Sequence, residues 1–222
     1  KMIIRNLTYD FFQPLKKSDK VSSALRLMYE YKISHAPVVE ESTYLGIISE
    51  NDLLVMPNKS EKIESLCKAL PKPFIKENEH ILNALNIISN LQIEVLPVLD
   101  NDHQYKGLIT AEQVLKEIAG IFSLENPGGI IILEVNLNDY SMSEIARIIE
   151  ANDTKILSSG VKIIPDSTKI EITLKLNVMN IEPVIQTFMR YNYNIIFYFG
   201  DNEKNEEVLK ERYELLMRYL NT

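Results

Sequence analysis

The stretch DKVSSALRLMYEYKISHAPVV at residues 19–39 is repeated, with changes, as EHILNALNIISNLQIEVLPVL at residues 79–99. After one extra residue in the second copy, YLGIISENDLL at 44–54 aligns with YKGLITAEQVL at 105–115. The identical pairs are Ala24/Ala84, Leu25/Leu85, Ile33/Ile93, Pro37/Pro97, Val38/Val98, Tyr44/Tyr105, Gly46/Gly107, Ile48/Ile109 and Leu54/Leu115. Because two copies of one unit bury an apolar face of each against the other, the sequence predicts a pseudo-two-fold cleft between them.

Each copy is predicted to fold as β-α-β-β-α. Apolar residues recur at helical spacing in the first part of each copy, and two short apolar runs separated by polar residues follow them. A second helix comes next, which in the first copy ends before Pro57. The predicted helices span residues 21–32, 50–55, 80–91 and 111–119, and the predicted strands span 36–39, 44–48, 95–99 and 105–109, with short lead strands near Leu15 and Ile75.

The segment between the copies, residues 60–70, is predicted to be a further helix with one apolar stripe. Cys67 is the single cysteine of the chain, and its place on that stripe predicts a small core residue rather than a nucleophile. A lone cysteine cannot form an internal disulfide, which suits a reducing compartment. We therefore expect a cytoplasmic protein.

A domain boundary is predicted at residues 123–129, where Pro127 is followed by two glycines. Beyond it, the apolar patterns predict strands at 130–137, 156–164, 169–178 and 195–199 and helices at 141–150 and 181–191. The order β-α-β-β-α-β is that of the ferredoxin-like fold. A charged helix with an apolar stripe is predicted at residues 203–220. Packing on its own domain and pairing with another subunit both stay open for this helix.

The composition is typical of a soluble globular protein, with 45% hydrophobic and 25% charged residues. The formal net charge of −7 argues against nucleic acid as the main partner, because phosphate binding needs a basic face. No apolar run is long enough to span a bilayer, and the first residues lack the pattern of a secretory signal. We expect neither a nucleic-acid partner nor a membrane partner.

The sequence lacks the usual marks of a catalytic site. Its seven glycines form neither a phosphate-binding loop nor a dinucleotide fingerprint. The three histidines lie on different predicted elements, at no zinc-ligand spacing to Cys67. We therefore expect no catalytic residues, no metal site and no enzyme activity.

Both copies resemble the cystathionine-β-synthase (CBS) domain, which occurs in tandem pairs. The resemblance covers about residues 10–120. It rests on Ala24-Leu25, Ile33-x-x-x-Pro37-Val38 and Gly46-Ile47-Ile48-Ser49-x-x-Asp52, and on the equivalents Ala84-Leu85, Ile93-x-x-x-Pro97-Val98 and Gly107-Leu108-Ile109-Thr110-x-x-Gln113. The third segment resembles an ACT-type domain through its element order and the stretch NDYSMSEI at 138–145. The combination resembles the acetoin-utilisation accessory proteins of bacteria.

The resemblance implies an α/β (α+β) chain with a tandem CBS pair at residues 1–124, whose repeats span about 10–58 and 71–120. A ferredoxin-like βαββαβ ACT-type domain at 128–202 and a C-terminal helix at 203–222 follow. ACT domains that bind amino acids usually carry a glycine after the first strand, and residues 137–141 have none. We therefore expect this domain to serve association rather than amino-acid binding.

CBS pairs bind adenosine-containing ligands in the clefts between repeats, so the resemblance also implies a site. In the first copy, Ser49 would offer a hydroxyl where a strand enters a helix, and Asp52 would accept the ribose hydroxyls. The alternative is that Ser49 caps the helix and Asp52 favours its dipole. His35 matches a position where nucleotide-binding relatives carry Arg or His, and Leu15 and Pro37 complete the expected set.

The second copy departs from this pattern. Thr110 keeps the hydroxyl, but Gln113 places a neutral amide where the carboxylate would be. Val95 stands where the first copy has His35, and Glu94 beside it would repel phosphate. We therefore expect one nucleotide site rather than two.

The sequence thus predicts a non-enzymatic regulatory protein that forms a homodimer. It would bind an adenine nucleotide (AMP, ADP or ATP) or a related compound, S-adenosylmethionine or NAD, and transmit this binding to a partner protein. The alternative is a ligand-free scaffold that only assembles subunits. The neutral Gln113 and the missing glycine of the ACT-type loop support that alternative.

Overall fold

The computed structural model of the protein describes residues 3–8 and 12–201, so the helix predicted at residues 203–222 lies outside the described residues. The chain divides into two compact units, one ending at Ile118 and the other beginning at Ala119. This junction precedes the predicted break at residues 123–129. The domain boundaries given above stay predictions.

The first unit contains two repeats with the predicted order of elements. The first repeat comprises α1 (Val21–Tyr31), β1 (His35–Glu40), β2 (Thr43–Ser49) and α2 (Glu50–Leu54). The second comprises β3 (Ile75–Lys76), α3 (Ile81–Leu91), β4 (Val95–Leu99), β5 (Tyr105–Thr110) and α4 (Ala111–Ile121). Strands β1 and β2 form an antiparallel pair, and β3, β4 and β5 form a sheet in that order. The mixed α/β class predicted from the sequence is confirmed.

The lead strands of the two repeats are short. Leu15 makes an isolated parallel bridge to Val38. In the second repeat, Ile75 pairs in parallel with Val98 at the equivalent position. The lead segments therefore run beside the same strand in both repeats, as the duplication requires.

The duplication extends to the ends of the first helix in each repeat. Lys32 and Gln92 adopt the left-handed conformation, each with a φ of 54°. The N–H of the following residue bonds back into the helix, from Ile33 to the carbonyl of Met28 and from Ile93 to that of Ile88. A left-handed residue followed by an apolar one is the Schellman type of helix end. This geometry explains why an isoleucine occupies the position in both copies.

The core of the first repeat includes residues of the second. Val95 and Leu108 are each 1% exposed and belong to the same apolar cluster as the buried residues of α1, β1 and β2. The first-repeat members of this cluster are Phe12, Leu15, Val21, Ala24, Met28, Ala36, Val38, Ile47, Ile48 and Leu53, with Ile63 from the segment between the repeats. The predicted burial of one copy against the other is therefore observed.

The prediction of a helix over residues 60–70 is wrong. Only a 3₁₀ turn forms there, at Ile63–Ser65. The backbone is instead bonded to the segment that enters α1, because the N–H of Ile63 donates to the carbonyl of Asp19 and the N–H of Val21 donates to that of Glu61. The apolar stripe is nevertheless turned inward, and Leu66, Cys67 and Leu70 pack against the core.

The second unit forms one antiparallel sheet. Its elements are β6 (Ile130–Asn136), α5 (Met142–Glu150), β7 (Ile156–Ile163), β8 (Lys169–Leu176), α6 (Glu182–Arg190) and β9 (Asn194–Phe199). The strand order is β7-β8-β6-β9. Every second residue of β8 is buried together with apolar residues of α5 and α6. This is the ferredoxin-like arrangement predicted for an ACT-type domain, and the fold class is confirmed.

Gly46 occupies a position on β2 that a side chain cannot fill. Its φ is +147°, and a Cβ built there would lie 2.5 Å from Cβ of Leu70 and 2.8 Å from the carbonyl oxygen of Pro71. The same backbone carbonyl accepts a hydrogen bond from the N–H of Ile47. The segment before the second repeat therefore needs a glycine here in order to lie against β2.

Replacing Gly46 by alanine is expected to destabilise the protein by about 1–3 kcal/mol, because the new Cβ strains the backbone and displaces residues 70–71. Gly120→Ala is the matched control, since this glycine lies in helix α4 and a Cβ there meets nothing within 4 Å. Alanine should stabilise that helix slightly. Denaturant unfolding of both variants measures the difference, and equal midpoints would contradict the prediction.

Candidate functional site

The residues predicted for the first-copy site begin at the junction of β2 and α2. Ser49 ends β2 and is the N-cap of α2. Its Oγ accepts a hydrogen bond from the N–H of Asp52 at 3.1 Å, and Oδ2 of Asp52 accepts from the N–H of Ser49 at 3.2 Å. The Ser49 hydroxyl also donates to the same Oδ2 at 2.6 Å. These two side chains therefore form a capping box at the start of α2, as the helix-cap alternative predicted.

The second copy preserves this arrangement with different chemistry. The N–H of Thr110 donates to Oε1 of Gln113 at 2.8 Å, and the N–H of Gln113 donates to Oγ1 of Thr110 at 3.2 Å. Glutamine supplies the acceptor that the cap requires, as glutamate or glutamine does in a capping box. The change from Asp52 to Gln113 thus keeps the helix start and removes the charge.

His35 lies next to a carboxylate of the other repeat. Its Nδ1 is 2.7 Å from Oε2 of Glu94, and both side chains are partly exposed. Burial alone would raise the pKa of Glu94, but hydrogen bonds from His35, from the backbone and from Ser34 together lower it. The residue predicted to attract phosphate is therefore paired with an anion, a contact that the separate copies of the sequence do not reveal.

Leu15 and Pro37 occupy buried positions in the strand ladder. The N–H of Leu15 donates to the carbonyl of Pro37 at 2.9 Å, and the N–H of Val39 donates to the carbonyl of Leu15 at 2.8 Å. Leu15 is 2% exposed and Pro37 is buried. Both residues thus help to position β1, and their role at a ligand site stays a prediction.

A cavity of about 500 Å³ lies between the two repeats. Its wall is largely apolar, and the ring of Phe12 meets that of Tyr31 edge to face at 5.1 Å. The first repeat contributes Phe12, Tyr31, Lys32 and Ile33, and the second contributes Glu94, Val95, Leu108, Thr110, Ala111 and Glu112. Of the seven predicted site residues, Thr110 lines this cavity. The cavity therefore lies at the copy that was expected to be degenerate.

Sequence reasoning missed the aromatic part of this wall. Tyr31 lies near the end of the helix predicted at residues 21–32, and Phe12 precedes the repeated stretch. A signal was present, however, because Tyr31 ends α1 two residues before Ile33, where the chain turns towards β1. A large aromatic residue at that turn is placed to face the other repeat.

The second unit has a separate polar cavity of about 380 Å³. Glu134 accepts hydrogen bonds from Lys169 at 2.7 Å and from Asn194 at 3.0 Å. The hydroxyl of Tyr193 donates to Glu144 at 3.1 Å. Burial raises the pKa of Tyr193 to about 12, and the carboxylate of Glu144 is the second cause of this rise. Both carboxylates, Glu134 and Glu144, therefore have hydrogen-bond donors within this cavity.

The other groups singled out from the sequence have structural roles. Ser141 caps α5 by accepting from the N–H of Glu144, as expected. The thiol of Cys67 donates to the carbonyl of Ile63 at 3.4 Å, and burial raises the pKa of this thiol.

Within residues 3–8 and 12–201, no cluster of His, Cys, Asp and Glu could hold a metal ion. In the same described part of the chain, no helix has the length and apolarity needed to cross a membrane.

The comparison with protein families agrees with this geometry. Residues 12–57 and 67–120 each match the CBS domain. The predicted tandem is confirmed: the first unit of this chain is a CBS domain pair. The resemblance of the whole chain to the acetoin-utilisation accessory proteins stays a prediction.

Individual relatives match parts of the chain. Inosine-5'-monophosphate dehydrogenase of Bacillus subtilis is 29% identical over 151 residues, which cover 66% of this chain and 30% of that enzyme. The crystal structure of a CBS domain pair/ACT domain protein from Thermotoga maritima matches with a TM-score of 0.50 and 22% identity, covering 54% of this chain and 98% of that one. The crystal structure of CBSX2 in complex with AMP matches with a TM-score of 0.47 and 21% identity, covering 55% of this chain and 98% of that one. The chain thus spans about 30% of the length of the curated enzyme.

Removing either cap hydroxyl is expected to destabilise the first unit. Ser49→Ala and Thr110→Ala each leave a helix N–H without its side-chain acceptor, which costs about 1 kcal/mol. Gln113→Glu is the matched control, because it keeps the acceptor oxygen. Denaturant unfolding measures all three, and a Ser49→Ala variant as stable as the parent would contradict the capping role.

Acid is expected to remove the contribution of Glu94 to stability. Because its folded pKa is lowered, this contribution is complete above the unfolded pKa of about 4.3 and is lost as the pH falls through the folded value. The difference in unfolding free energy between the parent and Glu94→Gln should therefore shrink between pH 5 and pH 3. Unfolding at the two pH values tests this, and a difference that grows on acidification would refute it.

Proposed function

We propose that this protein is a non-enzymatic regulatory module that binds an adenosine-containing compound in the cavity between its two CBS repeats. The cavity itself carries the proposal. Its volume of about 500 Å³ falls within the range of roughly 300–1,000 Å³ for small-molecule sites. The aromatic and aliphatic wall suits a flat heterocyclic base, and the polar side chains of Thr110 and Glu112 at the start of α4 suit a ribose.

The position of the cavity supports a regulatory mechanism. Phe12 and Tyr31 come from the first repeat, whereas Leu108 and Thr110 come from the second. A ligand that contacts both repeats binds more tightly to one relative arrangement of them, and it shifts the population towards that arrangement. We infer that a homodimer transmits this shift to a partner protein in the cytoplasm.

The side chains predicted for the first-copy site make structural contacts. Ser49 and Asp52 are hydrogen-bonded to each other at a helix start, and His35 is paired with Glu94. Because the match to the dehydrogenase spans only 30% of that enzyme, its activity is not assigned to this chain.

A ligand-free scaffold is the second candidate function, and the edges of the second-unit sheet favour it. Phe197 and Phe199 on the edge strand β9 are 53% and 55% exposed, and Ile163 on the opposite edge strand is 71% exposed. Exposed apolar residues on sheet edges are suited to association between chains. Both functions are compatible with a homodimer, so binding must decide between them.

The sensor function predicts a stability shift with AMP, ADP, ATP, S-adenosylmethionine or NAD. A ligand present at a hundred times its Kd stabilises the folded state by about 2.7 kcal/mol. Tyr31→Ala removes part of the cavity wall and should abolish the shift. Asp52→Ala, at the other helix start, should keep it. Thermal unfolding and calorimetric titration measure both.

The outcomes separate the candidates. No shift with any of these ligands would sink the sensor function and leave the scaffold. A shift lost in Asp52→Ala but kept in Tyr31→Ala would move the site to the first-copy cleft. Turnover of a nucleotide by the purified protein would instead establish an enzyme.

A further inference from the structure

We propose that the cavity between the repeats selects adenosine compounds whose 5′ substituent is neutral or positively charged, and discriminates against those that carry phosphate there. This inference rests on the proposed function, because it assumes that the cavity holds an adenosine compound. It adds the chemical class of the ligand, which follows from the charges that surround the cavity.

The apolar part of the lining disfavours a phosphate group. Phe12, Val95 and Leu108 are each 1% exposed and apolar, and an anion placed against them would lose its hydration without compensation. The polar groups lie elsewhere on the lining, at Lys32, Glu94, Thr110 and Glu112. Of the three charged groups that a phosphate would meet there, two are carboxylates and one is an ammonium.

Glu94 is the stronger of the two charges. It is held by the contact with His35 at 2.7 Å, and hydrogen bonds lower its pKa despite its partial burial. It therefore remains ionised at neutral pH. Glu112 is exposed on the first turn of α4, where water and salt screen its charge more effectively.

The cations near the cavity do not reverse this balance. Lys32 is exposed at the left-handed end of α1, so its ammonium is hydrated and screened. His35 directs Nδ1 at Glu94, which places the histidine expected to bind phosphate beside an anion. A ligand with a neutral 5′ group avoids repulsion from Glu94, and one with a sulfonium or ammonium group is attracted to it.

The test compares ligands that share adenosine and differ in charge. Calorimetric titration of the full chain would use adenosine, 5′-methylthioadenosine, S-adenosylmethionine, AMP and ATP. The parent should bind the first three at least about tenfold more tightly than AMP and ATP. Glu94→Gln should improve the affinity for AMP by about tenfold relative to adenosine, which corresponds to 1.4 kcal/mol.

Two further variants keep the result interpretable. Glu112→Gln removes the exposed carboxylate of the same lining. It should change the ratio of the AMP affinity to the adenosine affinity less than Glu94→Gln does. Glu61→Gln removes an exposed carboxylate from the segment between the repeats and should leave the ratio unchanged. Circular dichroism of each variant verifies that it is folded.

The possible results distinguish this inference from the function on which it rests. If AMP or ATP binds the parent as tightly as adenosine does, the charge selection is wrong while the adenosine site stands. If none of the five compounds binds, both the selection and the adenosine site are overturned. If Glu94→Gln changes the ratio no more than Glu61→Gln does, Glu94 is not the selecting group and the inference fails.

Discussion

The first repeat cannot close its apolar core without two side chains of the second. Val95 and Leu108 are buried in the same cluster as the residues of α1, β1 and β2, and burying a side chain of this kind contributes about 1.5–3 kcal/mol. Separating the repeats would expose both sides of this contact. The pairing of the repeats is therefore a condition of the fold. The same two residues line the cavity, so a ligand there would rest directly on the contact that joins the repeats.

The helix starts show how the fold and the site chemistry can change independently. A hydroxyl at the end of the second strand and an acceptor one turn later fix the beginning of the next helix in both repeats. Asp52 and Gln113 meet this requirement equally, because each supplies an oxygen to a backbone N–H. Only Asp52 also supplies a charge. The position therefore accepts either a charged or a neutral side chain without a change of backbone.

The sequence predicted the helices and strands of both units with one exception, but it did not predict which side chains of the two repeats meet. Helices and strands were predicted closely because apolar periodicity depends on local burial, as along β8, where Ile170 and Ile172 alternate with exposed or half-buried neighbours. The helix expected over residues 60–70 failed because its backbone pairs with the segment before α1. A cleft between the repeats was predicted, but the residues that line the cavity were missed for a similar reason. Its wall joins Tyr31 to Leu108, residues that only the tertiary fold brings together.

The two repeats differ in where each places its carboxylate. The first copy has Asp52 after the helix start and Ser34 before its strand, whereas the second has Gln113 and Glu94 at the equivalent positions. The second copy thus lacks the equivalent of Asp52 but keeps Glu112 on the first turn of its helix, and it has a further carboxylate, Glu94, at the entrance of β4. Because His35 reaches across from the first repeat to Glu94, this carboxylate is held in place by the other copy. The charge beside the cavity between the repeats therefore depends on a contact between the copies rather than on either copy alone.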